Sequence, residues 1–409
     1  MTRVFVSGVG AVSPVGTGRD AMFEALCRGI SGAREIRRFD TSQLDRHVGC
    51  EVVDFEPADH LTRAELERTH RCGHFALAAA RIALQDAGLS GGFPDPERVS
   101  VVIGTTMGEA NLLGELEDVW LHQGAAALRS ELIPRYGTGN LPAQLARAVG
   151  ARGSIQALPA ACAAGNYAIG QAAREIRAGR ADIVVTGASE VIERLQYAGF
   201  ARLGAMAPDR VRPFDVDRSG ILIGEGAGIL ILESEASLVR RGARPLAEVG
   251  AVGLACDAHH ITRPHPEGEG SKRALLAAIE RSGLTPDDVD HVNAHGTGTP
   301  ANDLIESRVL RDIFGERKPP ITSLKSMLGH CMGAASALEA IACVQTLERQ
   351  IIPPTIHLEN QDPECDVVVV REATPVQGLD VVLNNALAFG GYDAALLLAR
   401  PGKLGEFWH

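Results

Sequence analysis

Residues 154–165 read Ser154-Ile155-Gln156-Ala157-Leu158-Pro159-Ala160-Ala161-Cys162-Ala163-Ala164-Gly165, and the fold is decided by what lies on either side of this stretch. Residues 154–158 are short and mostly apolar, as a strand is. Over residues 165–178, Ile169, Ala172, Ala173 and Ile176 fall at i, i+3, i+4 and i+7, the apolar stripe of a helix. Gly179 is a plausible cap, and residues 181–186 return to an apolar strand. Strand, helix and strand in succession are the unit of an α/β fold. Cys162 then stands at a strand-to-helix turn, with its thiol at a helix N-terminus among small neighbours. Unpaired N–H groups and the helix dipole there are expected to favour thiolate and lower the cysteine pKa. A buried structural cysteine is the competing reading, and local context leaves both open.

The alternation extends along the chain. Residues 4–7, 99–103, 183–186, 229–232, 381–383 and 396–398 read as buried strands; residues 74–87, 271–282, 301–314 and 333–348 read as further helices. Most of these strands lack polar alternation, so helices are expected on both sheet faces. Residues 4–10 and 247–253 are both short apolar strands that end in paired glycines, a faint sign of duplication. The seam is expected near residues 236–245, giving an N-terminal half over 1–240 and a C-terminal half over 241–409.

Three further constellations carry chemistry. His295-Gly296-Thr297-Gly298-Thr299-Pro300 follows an apolar strand at 289–294, and Pro300 suits the first turn of the next helix. Ligands bind at the carboxyl ends of such strands, so His295 is placed for acid–base or oxyanion work, although it could equally cap a loop. Lys325-Ser326-Met327-Leu328-Gly329-His330 sits between a short strand at 320–323 and an Ala-rich helix. Glu339 lies inside that helix, where an unpaired carboxylate would be unfavourable; it could pair with Lys325 or face solvent. Asn384-Asn385-Ala386-Leu387-Ala388-Phe389-Gly390-Gly391 separates two apolar strands, and its glycines could aim N–H groups at an oxyanion or simply close a hairpin.

Other patterns fail on inspection. Gly8-Val9-Gly10 has Ser13 where a dinucleotide fingerprint needs Gly or Ala, and Gly224-Glu225-Gly226-Ala227-Gly228 lacks the Lys-Ser/Thr of a P-loop. Cys256, Asp257, His259, His260 and His265 match no standard ligand spacing, so no metal is expected. A net charge of −11 over 409 residues argues against nucleic acid as partner. No run approaches the ~20 apolar residues of a membrane span, and the first residues lack signal-peptide features. A cytoplasmic location follows as an expectation, with the eight cysteines mostly reduced and, absent a CxxC pair, no zinc ribbon.

Taken together the motifs resemble the ketosynthase branch of the thiolase superfamily, over the whole chain. Val6-Ser7-Gly8-Val9-Gly10 and the Ala11-Val12-Ser13-Pro14-Val15-Gly16 that follows resemble its first strand and turn; Ala161-Cys162-Ala163-Ala164-Gly165 resembles its nucleophile motif. Arg212-Pro213-Phe214-Asp215, Gly224–Gly228, both histidine motifs and Phe389-Gly390-Gly391 follow in the family's order. The Cys-His-His set is that of elongating synthases; initiating synthases carry Asn for the second His, and thiolases a second Cys.

The resemblance implies a five-layered αβαβα sandwich of two related halves, normally a dimer, acting on phosphopantetheine-linked acyl and malonyl groups of an acyl carrier protein without a bound cofactor. Cys162 would take the acyl group, and His295 and His330 would promote malonyl decarboxylation and stabilise the enolate. The N–H groups of Cys162 and Phe389 would form the oxyanion hole. Thr297, Thr299 and Thr262 would contact the pantetheine arm, and Met107, Phe200 and Leu387 the acyl chain and its gate. Lys325 and Glu339 would be supporting charges, Asp303 and Glu306 structural. Departures from the housekeeping pattern are Ala163-Ala164 for Thr-Ser, Leu387-Ala388 for Phe-Gly and Tyr392-Asp393 for Thr-Asn. Glu65 and Glu67 also dilute the basic carrier-docking region 63–71. These changes fit a type II polyketide or polyene ketosynthase, as homodimer or as heterodimer with a chain-length-factor-like subunit, at least as well as fatty-acid elongation. A non-condensing subunit and a cysteine acyltransferase are the alternatives; the intact cysteine weighs against the first and the second histidine against the other.

Overall fold

The computed structural model describes residues 2–135 and 137–405. Its frame is an eleven-stranded sheet whose order is symmetric about its middle. The first half supplies β1 (Val4–Ser13), β2 (Val99–Gly104), β3 (Ile155–Leu158), β4 (Ile183–Glu190) and β5 (Gly226–Ser234). The second supplies β6 (Ala247–Cys256), β7 (His291–Asn293), β8 (Ile321–Thr322), β9 (Val381–Ala388) and β10 (Tyr392–Ala399). From the centre outward both halves run first, fifth, fourth, second, third strand, and β1 meets β6 antiparallel through Phe5–Glu248 and Val6–Ala247. A two-residue strand, Gly16–Thr17, hangs on β1.

Helices fill the remaining layers. On the outside of the first half lie α1 (Arg71–Asp86), packed on β1 and β5, and α2 (Asn140–Val149). The central helix α3 (Ala164–Arg177) packs on β2 and β4. Outside the second half lie α4 (Glu269–Arg281), packed on β6 and β10, and α5 (Pro300–Phe314). The second central helix, α6 (Ala335–Arg349), touches α3, β5 and β9. The fold is the five-layered αβαβα sandwich of thiolase-like proteins. The two central helices meet through small and apolar residues: Ile169, Ala172, Ala173 and Ile176 join Ala337, Leu338, Ala340 and Ile341 in one buried cluster. Each buried isoleucine contributes about 1.5–3 kcal/mol, while the alanines let the helices approach closely.

Glycine marks the repeat. A Cβ on Gly10 would lie 2.1 Å from the Ala79 carbonyl of α1, and one on Gly253 would lie 1.8 Å from the Ala274 carbonyl of α4. The outer helix thus crosses the first strand of each half at a distance only glycine allows. Residues 235–241, where a seam was expected, form a short helix closed by left-handed Gly242 rather than an open linker. Arg19–Cys27, Ala110–Gln123 and Arg194–Arg202 are further helices whose apolar stripes are interrupted by charge and glycine and so do not stand out in the sequence.

Candidate active site

The two central helices begin alike, and chemistry collects at their starts. Ala161 holds φ 46° as the first residue of the 3₁₀ turn Ala161–Ala163, and Met332 holds φ 44° as the first of the turn Met332–Ala334. Left-handed backbone at a non-glycine residue costs roughly 1–3 kcal/mol. Here it turns Cys162, 8% exposed, out of the helix start into a cavity of about 350 Å³. The cavity also takes in His295, His330, Thr297, Thr299, Phe200 and Phe389.

His295 follows β7. Its loop is held by two carboxylates of α5: Glu306 accepts the N–H groups of His295 (2.7 Å) and Gly296 (2.8 Å), and Asp303 accepts those of Gly298 (3.1 Å) and Phe214 (2.8 Å). Asn385 of β9 donates to Glu306 as well, at 2.7 Å. The scaffolding expected of Asp303 and Glu306 is therefore visible, and burial raises the Asp303 carboxyl to about 6. His330 is threaded between backbone groups, its N–H donating to the Leu222 carbonyl and its carbonyl accepting from Gly224. A Cβ on Gly224 would strike Leu328 and Cys331, which explains the glycine run 224–228 that is no P-loop.

The two imidazoles stand edge to face, centroids 5.5 Å apart. Burial, with the Lys325 ammonium close by, pushes both pKa values well below the ordinary value. They are neutral near pH 7, each able to offer one N–H and one lone pair. Lys325 does pair with Glu339: Nζ–Oε1 is 2.6 Å with both side chains 1% exposed. The Glu339 carboxyl is raised by burial against the pull of Lys325.

The thiol differs from the sequence reading. The N–H groups of Cys162 and Phe389 point at Sγ and Lys325 lowers its pKa, but burial outweighs them and pushes the thiol up to about 12. A helix start lowers a cysteine pKa, but for this sulfur the cost of desolvating the thiolate is larger.

Phe389 is aimed by a hairpin. Gly390 and Gly391 hold φ 83° and 76° between β9 and β10, so the hairpin and the N–H-aiming readings of this loop are the same structure. Phe200 stacks on the Phe389 ring, centroids 5.7 Å apart. The Gly390 N–H donates to the Ile261 carbonyl at 2.7 Å, tying the hairpin to the loop that carries Thr262. Thr297 and Thr299 hydroxyls meet at 2.9 Å, and Thr262 and Leu387 complete that wall. Met107 lies outside the residues lining this cavity, and its N–H donates to Glu190 at 3.3 Å.

Glu190 was missed. Ending β4, 1% exposed, it accepts N–H groups of Thr106 (2.6 Å), Met107 and Gly333, the last in the turn that starts α6. Burial raises it to about 7. Sequence offered only a carboxylate closing an apolar strand. Also missed was Asp257 beside Asp393 on the cavity wall. At the expected docking region, Glu65 caps the helix Arg63–Arg68 and pairs with Arg81, and Glu67 pairs with Arg63. Among the described residues no group of three or more His, Cys, Asp or Glu is arranged to hold a metal, and no helix is long and apolar enough to cross a membrane.

Comparison with known proteins agrees with this geometry. Residues 1–237 match the N-terminal domain of beta-ketoacyl synthase and residues 246–359 its C-terminal domain. The chain belongs to the beta-ketoacyl synthase family, condensing enzymes of the acyltransferase type. It is 38% identical over 407 residues to a 3-oxoacyl-[acyl-carrier-protein] synthase 2 of Synechocystis sp., covering 97% of this chain and 98% of that protein. A chain of the structure described as the ishigamide ketosynthase/chain length factor superposes with TM-score 0.94 at 42% identity, covering 98% of this chain and 100% of that one. A chain of AntDE:AntF, a type II PKS acyl-carrier protein in complex with its ketosynthase bound to the hexaketide, gives 0.89 at 30% identity, covering 98% and 99%. Relatives so named favour neither the non-condensing nor the simple acyltransferase reading.

Proposed function

We propose that this chain condenses a carrier-bound acyl primer with malonyl-carrier protein by decarboxylative Claisen chemistry, with Cys162 as nucleophile and His295 and His330 as its partners. The observation that carries this assignment is the pair of neutral imidazoles, edge to face, lining the cavity into which Cys162 opens. In the first half-reaction Sγ attacks the primer thioester; its proton passes to the departing pantetheine thiol, and the oxyanion is met by the N–H groups of Cys162 and Phe389. In the second, the malonyl thioester oxygen accepts hydrogen bonds from His295 and His330 as the carboxylate leaves as carbon dioxide. The resulting enolate carbon attacks the acyl-Cys162 carbonyl, the C–S bond breaks, a 3-ketoacyl thioester leaves on the carrier, and the released Cys162 thiolate takes a proton from solvent. Lys325 and Glu339 set the field around the three groups, and Thr297, Thr299 and Thr262 hold the pantetheine arm. Phe200 and Leu387 act on the acyl chain and its gate.

Residues 1–240 and 241–409 are the two related halves on this reading. The repeated strand order supports it. The partner is an acyl carrier protein, with a second copy or a chain-length-factor-like subunit completing a dimer. A type II PKS ketosynthase and a ketosynthase/chain length factor are among the structures similar to this chain, which supports type II polyketide or polyene synthesis. The test is intact mass after incubation with a panel of acyl carrier thioesters and then malonyl carrier, alone and with candidate partner subunits. An adduct on Cys162 that discharges as a ketoacyl thioester two carbons longer is expected. An adduct lost only by hydrolysis, or none under any pairing, would overturn the assignment.

A further inference from the structure

The substitution of Tyr392-Asp393 for Thr-Asn places a second carboxyl against Asp257. Asp393 is the second residue of β10 and 2% exposed; Asp257 follows the last residue of β6 and opens the loop that reaches Thr262. The two carboxyl groups adjoin, and Asp257 is among the groups that raise the Asp393 pKa. They converge over Gly270 in the first turn of α4, where a Cβ would lie 2.1 Å from Asp393 Oδ2 and 2.5 Å from Asp257 Oδ1, so only glycine leaves the pair room. Neither of these two oxygens receives a hydrogen bond from a described donor. Two carboxylates can bond only by sharing a proton, and the proton supplies what both oxygens lack. Burial and the adjoining Asp257 raise Asp393 to about 8, against the pull of Arg273.

The pair joins the two segments that shape the channel. Asp257 N–H donates to the Gly391 carbonyl at 3.0 Å, and Gly390 N–H to the Ile261 carbonyl at 2.7 Å. The adjoining carboxyls are thus a third contact between the Thr262 loop and the Phe389 hairpin, and the one that can ionise. The groups facing it come from every neighbouring element. Arg273 of α4 bonds the Cys256 carbonyl and approaches Glu269; the His265 N–H donates to Asp257 Oδ2; His260 shares the cavity wall. Tyr167 of α3, packed edge to face on Tyr392, is raised to about 12 and stays neutral.

We propose that Asp393 is a positioning residue: sharing a proton with Asp257, it latches the Thr262 loop onto the Phe389 hairpin and so holds the channel and the Phe389 N–H in their working places. This rests on reading the cavity as the pantetheine channel. When the shared proton leaves at alkaline pH, two adjoining anions, one of them buried, repel and the latch opens. Asp393→Asn is the discriminating variant. Its amide N–H bonds the Asp257 carboxylate with the same net charge as the proton-sharing pair, but has no proton to lose.

The test follows two readouts in wild type and Asp393→Asn from about pH 6.5 to 9.5. One is the rate of Cys162 acylation by an acyl carrier thioester; the other is amide exchange of residues 257–264, corrected for the intrinsic rate. The ratio of variant to wild-type acylation is expected to rise about tenfold per pH unit above the pair's ionisation. Wild-type protection of 257–264 is expected to fall over the same interval and the variant's to stay constant. Parallel pH profiles in both readouts would overturn the latch. Absence of acylation in both proteins at every pH would overturn the condensing assignment instead, and exchange would still decide the latch.

Discussion

Lys325 Nζ lies 2.6 Å from Glu339 Oε1, in a site that admits almost no water to either. The pair presents its charge to three groups at once, since Lys325 depresses the pKa of His295, His330 and Cys162. Removing one member strands the other's charge. Lys325→Met is expected to destabilise the fold by about 3–5 kcal/mol, whereas Lys325→Met with Glu339→Leu should recover most of that loss. Urea unfolding of the three proteins checks this. Condensation should stay at least about 100-fold down in the double variant, because restored packing does not restore the field. Recovery of activity along with stability would reduce the pair to scaffolding.

Cys162 and the two histidines divide the reaction between them. Cys162→Ala is expected to abolish the acyl adduct and ketoacyl product, yet still release carbon dioxide from malonyl carrier, since both imidazoles remain. His330→Ala should show the reverse, an adduct that forms but discharges at least about 100-fold more slowly. Mass spectrometry and a carbon dioxide assay read the two halves separately. Carbon dioxide release that stops with the thiol would mean the imidazoles do not act alone.

The neutral imidazoles set an acid limit. Their pKa values lie below the ordinary one, so protonated histidine accumulates only as pH falls past that lowered value. Condensation should therefore hold from about pH 7.5 to well under the unperturbed histidine value of about 6.5. In Lys325→Met, with Glu339 left unpaired, the imidazolium is easier to form and the acid limb should move up. An identical limb in both proteins would show that another group sets it.

How far the sequence carried this site depends on whether local patterning fixes each part. The turn at Cys162 and the loop at His295 follow from apolar strands that stop at small residues and helices that begin a few positions on. Both arise within a dozen residues, and both are where expected. The Lys325–Glu339 pair was one of two options, because only the wrapping of α6 between the sheets excludes solvent. The pKa of Cys162 went the other way for the same reason: local structure gives a helix start, but desolvation is a property of the closed cavity. Met107 is expected at the acyl chain only through the family resemblance, and the structure adds that its backbone N–H bonds Glu190. Asp257 and Asp393 are 136 residues apart and meet only because β6 pairs with β10, with Asp393 opposite Ala255.

Glu190 tests the balance between burial and hydrogen bonding. Its carboxyl, raised from 4.5 to about 7, binds a proton in the folded state at pH values where the unfolded chain has released it. The folded state therefore holds more protons between those two values, and this contribution to stability is present at low pH and lost as pH rises through about 7. The full span amounts to about 3 kcal/mol. Glu190→Gln does not titrate. It also turns an amide donor toward the N–H groups of Thr106, Met107 or Gly333, so it should be the less stable protein at pH 5. Its deficit relative to wild type should shrink steadily towards pH 8 as the wild-type carboxylate becomes a buried charge. Chemical denaturation across that range measures the difference directly; a deficit independent of pH would mean that the three N–H donors hold Glu190 ionised throughout.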